Sequence, residues 1–247
     1  MFVAAVSYDD GVAAVHRSHF PSGSTVSLPH HAFPPLPDCR RILIVGGGGF
    51  GREVRCYVRD AWPAEDALFA GFLDGDPSRV GVAGPVLGDP DTYQPMPGDG
   101  LLLGVGIPGV RRRLAEMLSA RGGRFLTLVH PTAVVVPSAV VGEGTIVCPH
   151  GVVSDAASLG RGVLVNYHAS VAHDASVGDY GVLAPYATLG GFARVGADVF
   201  LGLHASVGPG RRVGDRSKVS ANSCALADVP PDTLVYGVPG RHGPLLS

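Results

Sequence analysis

The sequence predicts two units of different architecture, a small α/β unit followed by a long coil of six-residue repeats. Three observations carry this reading. An unbroken period of six runs from Val129 to Val219. A short apolar run at residues 42–45 ends in a cluster of glycines. The chain has 247 residues, 46% hydrophobic and only 16% charged, enough to bury a core of one large or two small domains.

Stepping by six from Val129 meets Val135, Val141, Val147, Val153, Leu159, Val165, Val171, Val177, Leu183, Leu189, Val195, Leu201, Val207, Val213 and Val219. Every step is Val or Leu, although these make up only roughly a quarter of the chain, so chance would give about four. Four residues after each step the side chain is small or valine, Arg211 being the exception. One residue after it, glycine recurs, as at Gly142, Gly160, Gly178, Gly190, Gly196 and Gly202. A branched aliphatic followed by a small residue fits a short flat strand and a tight corner. Three such strands close a triangular coil whose axis the aliphatics fill, and about five coils of roughly 18 residues result. A β-sandwich would need a period of two and turn signals every 8–12 residues. The pattern resembles that of the left-handed parallel β-helix.

Upstream, Ile42–Val45 reads as a buried strand that runs into Gly46, Gly48 and Gly51, a GxGxxG turn opening a helix over 52–60. Such glycines let a backbone approach a phosphate at a helix N-terminus, and Asp74, at the end of a second strand over 69–73, stands where a ribose-binding acid would. A third strand is expected at 101–105, and Val110, Leu114, Met117 and Leu118 give a helical apolar face. This is a small Rossmann-like βαβ domain over 39–128, about half of a full dinucleotide fold, which argues against a nicotinamide cofactor. The β-helix is expected over 129–247, with a C-terminal tail, and residues 1–38, rich in Ser, His and Pro, as a flexible extension.

Charge and composition exclude several classes. Nineteen basic residues against 21 acidic ones include one lysine, Lys218, so no polybasic arm is available for nucleic acid or anionic lipid. No apolar run approaches the roughly 20 residues that span a bilayer, and no signal-peptide pattern opens the chain, so a cytoplasmic protein is expected. Cys39, Cys56, Cys148 and Cys224 lack paired spacing, which argues against a zinc knuckle, a redox CxxC or a disulfide framework.

Within the repeat, His173 and Asp174 follow the inward Val171 by two and three residues, so both should point away from the axis. A surface imidazole beside a carboxylate suits general-base work, the acid orienting the ring. His150, His168 and His204 share one column, interrupted by Tyr186, and should stack on one edge.

The run Ile-Val-Gly-Gly-Gly-Gly-Phe-Gly-Arg-Glu-Val at 44–54, Gly71-Phe72-Leu73-Asp74, Val129-His130-Pro131, Asn166, His173-Asp174, Val177-Gly178-Asp179-Tyr180 and Gly237-Val238-Pro239 together resemble the NeuD/PglD family of sugar acetyltransferases. The likeness covers about residues 40–242. It implies acetyl transfer from acetyl-CoA, without a metal, to the amine of a nucleotide-activated amino sugar. An alternative within the resemblance is O-acetylation of a sialic-acid-type sugar. It also implies a homotrimer with acetyl-CoA in the groove between neighbouring β-helices. By position, the resemblance makes His173 the general base and Asp174 its support, sets Asn166 against the sugar, and gives the thioester carbonyl to the Gly191 amide. Leu203 and Ala221 would meet acetyl-CoA. Gly48, Gly49, Phe50, Asp74, Gly75 and Gly106 would contact the nucleotide-sugar. Arg211, Arg212, Lys218 and Arg241 are candidates for coenzyme phosphates. Phe50 and Val182 stand where the family often has histidines.

Two rival classes remain. A trimeric β-helix carbonic anhydrase binds zinc through histidines five apart, as His168 and His173 are, but Thr132 stands at the third ligand position. A non-catalytic sugar-binding scaffold on the same fold is disfavoured by intact His173, Asp174 and Gly191.

Overall fold

The computed structural model describes residues 39–238 and 240–244. The expected extension over 1–38 lies outside the described residues, as does Pro239. In the small domain β1 (Arg41–Val45), α1 (Gly49–Ala61), β2 (Phe69–Leu73), β3 (Val86–Gly88), β4 (Asp99–Leu103), α2 (Pro108–Ala120) and β5 (Arg124–Phe125) form a parallel sheet in the order β3-β2-β1-β4-β5. Strand residues alternate between its two faces. Ile42 and Ile44 pack with Val54 and Val58 of α1, whereas Leu43 and Val45 pack with Leu114 and Leu118 of α2. The helices therefore cover opposite faces, and the neighbouring C-terminal ends of β1 and β4 form a topological switch point.

The strand expected at 101–105 begins and ends two residues earlier. Asp99 is buried and accepts hydrogen bonds from the Arg41 guanidinium (2.8 and 2.7 Å) and the Tyr93 hydroxyl (2.7 Å), which fixes the start of β4. Gly104 follows it, at a position where a Cβ would meet the Gly46 carbonyl at 2.6 Å.

From β6 (Leu128–Val129) to β22 (Cys224–Ala225) the chain forms two-residue strands that pair in parallel, each with its counterpart in the next coil, as in Val152↔Ser170 and Val153↔Val171. The pairs sort into three sheets, the faces of a left-handed parallel β-helix. The predicted inward column is the core, with Val147, Val153, Val165, Val171, Leu183 and Leu189 fully buried. The repeat extends past Val219 to Ala225 and then shortens. Val213 bridges Val229 and Lys218 pairs Leu234, each two residues short of a full coil, before β23 (Thr233–Tyr236) and the antiparallel β24 (Arg241–Pro244) close the last coil.

The corners differ in detail from the sequence reading. The small residues four after each aliphatic, such as Ala169, Ala175, Ala187 and Ala193, are buried and fill the vertices. The backbone turns one residue earlier, where His150, His168, Asp174, Tyr186, Phe192 and His204 all have φ between 54° and 63°. A left-handed conformation costs an L-residue roughly 1–2 kcal/mol. It is offset because each turning N–H reaches the previous coil, as Asp174 N does to Asp155 O (2.9 Å) and Phe192 N to His173 O (3.0 Å).

The three faces are unlike one another. Leu128, Ile146, Leu164 and Val182, outward on the first face, are at most 2% exposed because α1 and β1 pack over them. The same position on the second face holds Val134, Val152, Ser170, Thr188 and Ser206, and on the third Val140, Ser158, Ser176, Arg194 and Arg212. Leu164→Ala should therefore cost about 2–5 kcal/mol, whereas Ser158→Ala, at the matching position on the third face, should stay within about 0.5 kcal/mol. Thermal melts of the two variants check this, and equal shifts would contradict the assignment of the covered face.

Candidate active site

Each coil runs first face, corner A, second face, corner B, third face, corner C. Corner A takes in 166–169 and 184–187, corner B 172–175 and 190–193, and corner C 160–163 and 178–181, with equivalents in every coil. Corner B, between the second and third faces, is therefore the vertex opposite the face that the small domain covers.

His173 and Asp174 occupy corner B and both project outward, with side chains 56% and 43% exposed. Imidazole Nδ1 lies 2.9 Å from Asp174 Oδ2. An ionised carboxylate only accepts, so in the neutral ring Nδ1 carries the hydrogen and Nε2 presents the lone pair. The ring rests on the next coil, where a Cβ on Gly191 would come within 2.6 Å of Cε1 and 2.7 Å of Nε2. Any side chain there would push the imidazole off its seat. Phe192 packs its ring against His173 edge-on at 5.3 Å and is half exposed. This contact was not predicted, although adding one coil to His173–Asp174 leads directly to Gly191–Phe192. Among the described residues nothing accepts the Gly191 N–H, which remains available to an oxygen of a bound molecule.

Corner A carries Asn166, whose Oδ1 accepts the Tyr167 N–H (2.8 Å), and, two and three coils beyond Tyr167 in the same column, the exposed Leu203 and Ala221. The imidazoles of His150 and His168, the Tyr186 ring and His204 stack face to face along this corner at 4.9, 4.8 and 4.6 Å, as their column predicted. Among the described residues, no group of three or more His, Cys, Asp or Glu side chains could hold a metal ion.

The small-domain residues gather at the switch point. Gly46 has φ of 98°, and a Cβ on Gly51 would stand 1.9 Å from its carbonyl, so these two glycines serve the close packing of strand against helix. Gly48, Gly49 and Gly106 are different, since a Cβ on any of them would meet nothing within 4 Å. They border open space at the N-termini of α1 and α2. Neither helix has a side-chain cap or an acidic residue in its first turn. Two uncapped N-termini converging on one crevice favour an anion. Asp74 is buried and holds the loop, accepting the Gly47 N–H (2.6 Å) and the Asp76 N–H (2.8 Å) on separate oxygens. Gly75 lies beside Asp89. Phe50 packs into the same apolar cluster as Tyr167 and Val182, and Val182 is sealed beneath the small domain.

The four cations named for phosphates do not form one group. Lys218 lies over the Phe200 ring (5.4 Å) at the end of the first face, and Arg241 is on β24. Arg211 and Arg212 lie near corner B and on the third face, where Arg194 and Arg212 line a cleft of about 500 Å³. The predicted residues thus form three groups: the crevice, corner A with Asn166, Leu203 and Ala221, and corner B with His173, Asp174 and Gly191.

No known protein-family description matches the chain. UDP-N-acetylbacillosamine N-acetyltransferase of Bacillus subtilis is 33% identical over 113 residues, 44% of this chain and 51% of that protein, so the chain spans about half the length of this curated relative. PerB from Caulobacter crescentus, solved with CoA and GDP-perosamine, matches with a TM-score of 0.74 at 29% identity, over 86% of this chain and 99% of that one. The acetyltransferase domain of PglB from Neisseria gonorrhoeae, solved with acetyl coenzyme A, matches with a TM-score of 0.73 at 28% identity, over 82% and 98%. The resemblance to the NeuD/PglD type of sugar acetyltransferase, read from the motifs, is borne out by relatives of that type in both sequence and fold.

Proposed function

We propose that the protein is an acetyl-CoA-dependent N-acetyltransferase acting on the amine of a nucleotide-activated amino sugar, working in the cytoplasm as a homotrimer. The unit over 39–128 binds the acceptor's nucleotide and the unit over 129–247 carries out the transfer. The observation that carries this reading is the outward His173–Asp174 pair with its ring seated on Gly191. The crevice supplies the second half of the argument. Its two uncapped helix N-termini suit the diphosphate of a nucleotide-sugar, and Gly48, Gly49 and Gly106 leave room for it.

In the reaction, the neutral sugar amine attacks the thioester carbonyl, forming the N–C bond. His173 Nε2 takes the proton that the nitrogen loses, and Asp174 holds the resulting imidazolium. The Gly191 N–H stabilises the negative charge on the carbonyl oxygen until the C–S bond breaks. The coenzyme leaves as thiolate and recovers the proton from His173, with no covalent enzyme intermediate. Asn166 orients the sugar, and Leu203 and Ala221 border the coenzyme.

The arrangement of the groups supports a trimer. His173 stands at the vertex opposite the face under the small domain, which sets the imidazole and the crevice on different sides of one coil. A neighbouring copy that sets its corner B against corner A of the first brings the three groups together.

Thiol release from acetyl-CoA, measured against UDP-, dTDP- and GDP-linked 4-amino sugars and free sugars, tests the reading. Release with one nucleotide class is expected. Silence across the panel, with no acetyl-CoA binding, would end the enzyme reading. His173→Ala should lower turnover by at least ~10²-fold with little change in acetyl-CoA affinity, and near-normal turnover would remove His173 from the mechanism. Gly191→Ala adds one methyl group where the ring lies. Turnover is expected to fall at least ~10-fold from ring displacement with the melting temperature nearly unchanged, and full activity would show that the ring does not need its seat.

A further inference from the structure

The helix that borders the crevice is fastened to the β-helix by two consecutive arginines, the fourth and fifth residues of α2. Arg111 is fully buried. Its Nε donates to Gly162 O (3.0 Å) across the domain boundary, and Nη1 donates to Leu103 O (2.9 Å) and Val105 O (2.6 Å), while Nη2 has no partner. Burial pushes its pKa down to about 10, so it is still a cation at neutral pH, and no carboxylate among the described residues pairs with it. An unpaired buried charge is costly, and an apolar side chain of similar size would fill the space at less cost. What an apolar chain could not do is hold three carbonyls from two domains at once.

Arg112 binds Asp198 with Nε (2.9 and 2.7 Å to the two oxygens), and its guanidinium lies 4.6 Å above the Tyr180 ring. Gly162, Tyr180 and Asp198 follow one another at intervals of one coil, three successive rungs of corner C. Tyr180 in turn covers Gly162, where a Cβ would lie 2.6 Å from its ring. The two arginines therefore grip three consecutive rungs. The rest of the domain contact, on the first face, is largely apolar, with a longer polar contact beside it, His130 Nε2 to Asp60 Oδ2 of α1 (3.3 Å). Apolar burial is non-directional and specifies no height along the axis, whereas hydrogen bonds and an ion pair do.

We propose that Arg111 and Arg112 are positioning residues that fix the small domain in register along the β-helix and so set where the crevice presents the sugar to the imidazole. The loop from Gly104 to Ile107, which carries Gly106 into the crevice, leads straight into α2, and Arg111 binds the carbonyls on either side of Gly104. Rungs are about 4.8 Å apart, so a slip of one rung would remove the amine from the reach of any hydrogen bond, and errors of about 1 Å can already cost ~10² in rate.

The inference rests on the acetyltransferase reading for its kinetic arm, and amide hydrogen exchange supplies an arm that does not. Arg112→Ala, at a partly exposed position, is expected to lower kcat at least ~10-fold while the KM values for acetyl-CoA and acceptor change less than about threefold. Exchange should quicken at amides 104–112 and stay unchanged in the β-helix core. Arg111→Lys, which keeps the charge but gathers its three donors on one nitrogen and cannot span carbonyls reached from both Nε and Nη1, should behave alike. The exchanged pair Arg112→Asp with Asp198→Arg should recover much of kcat. Unchanged kcat, a rise in acceptor KM alone, or unaltered exchange would each overturn the proposal. If the wild type transfers no acetyl group, the functional reading fails and the exchange arm alone decides whether the clamp exists.

Discussion

Each coil of the β-helix passes its main-chain hydrogen bonds to the coil that follows, and this pairing decides which side chains share an edge. His173 meets Gly191 because they are one coil apart, and the four stacked rings of corner A align for the same reason. The price of the geometry is a left-handed residue at each corner, repeated on Asp174, Tyr186, Phe192 and their equivalents. Asp174 belongs to this set, so the turn that closes the coil also aims its carboxylate at the neighbouring imidazole. An isolated loop of the same sequence would have little reason to adopt that conformation.

The second constraint is the inequality of the three faces. Only the first carries an outward column of large aliphatic residues, and the small domain covers it. That choice leaves corner B, with His173 and Asp174, exposed. Apolar packing chooses the face, and the arginines of α2, through Gly162, Tyr180 and Asp198, choose the height.

Much of this was legible in the sequence, because a period of six with a fixed inward residue determines the side of every other residue. The outward direction of His173 and Asp174, the stacked histidine column and the glycine loop all followed from spacing. What escaped needed a longer period or tertiary context. The aliphatic column at Leu128, Ile146, Leu164 and Val182 appears only when outward positions are compared coil by coil rather than strand by strand. The turning residue cannot be told from the small one in the sequence, because alanine at a corner serves filling and turning equally well. The sequence pattern starts β4 two residues late because Asp99 reads as a loop residue until Arg41 and Tyr93 are seen around it. Arg111 reads as surface charge on a helix, and nothing local marks it as buried.

The proposed function sets one catalytic centre between two copies, its crevice from one and its imidazole from the other. Mixing two inactive variants tests it most directly: His173→Ala, which keeps the crevice, and Gly48→Glu, which sets a carboxylate into open space at the α1 N-terminus without disturbing internal contacts. If sites form between copies, co-assembly in equal amounts should restore about a quarter of wild-type turnover, the share of interfaces that pair an intact crevice with an intact imidazole. If each chain completes its own site, the mixed assembly should be as inactive as its components, and that result would contradict the account.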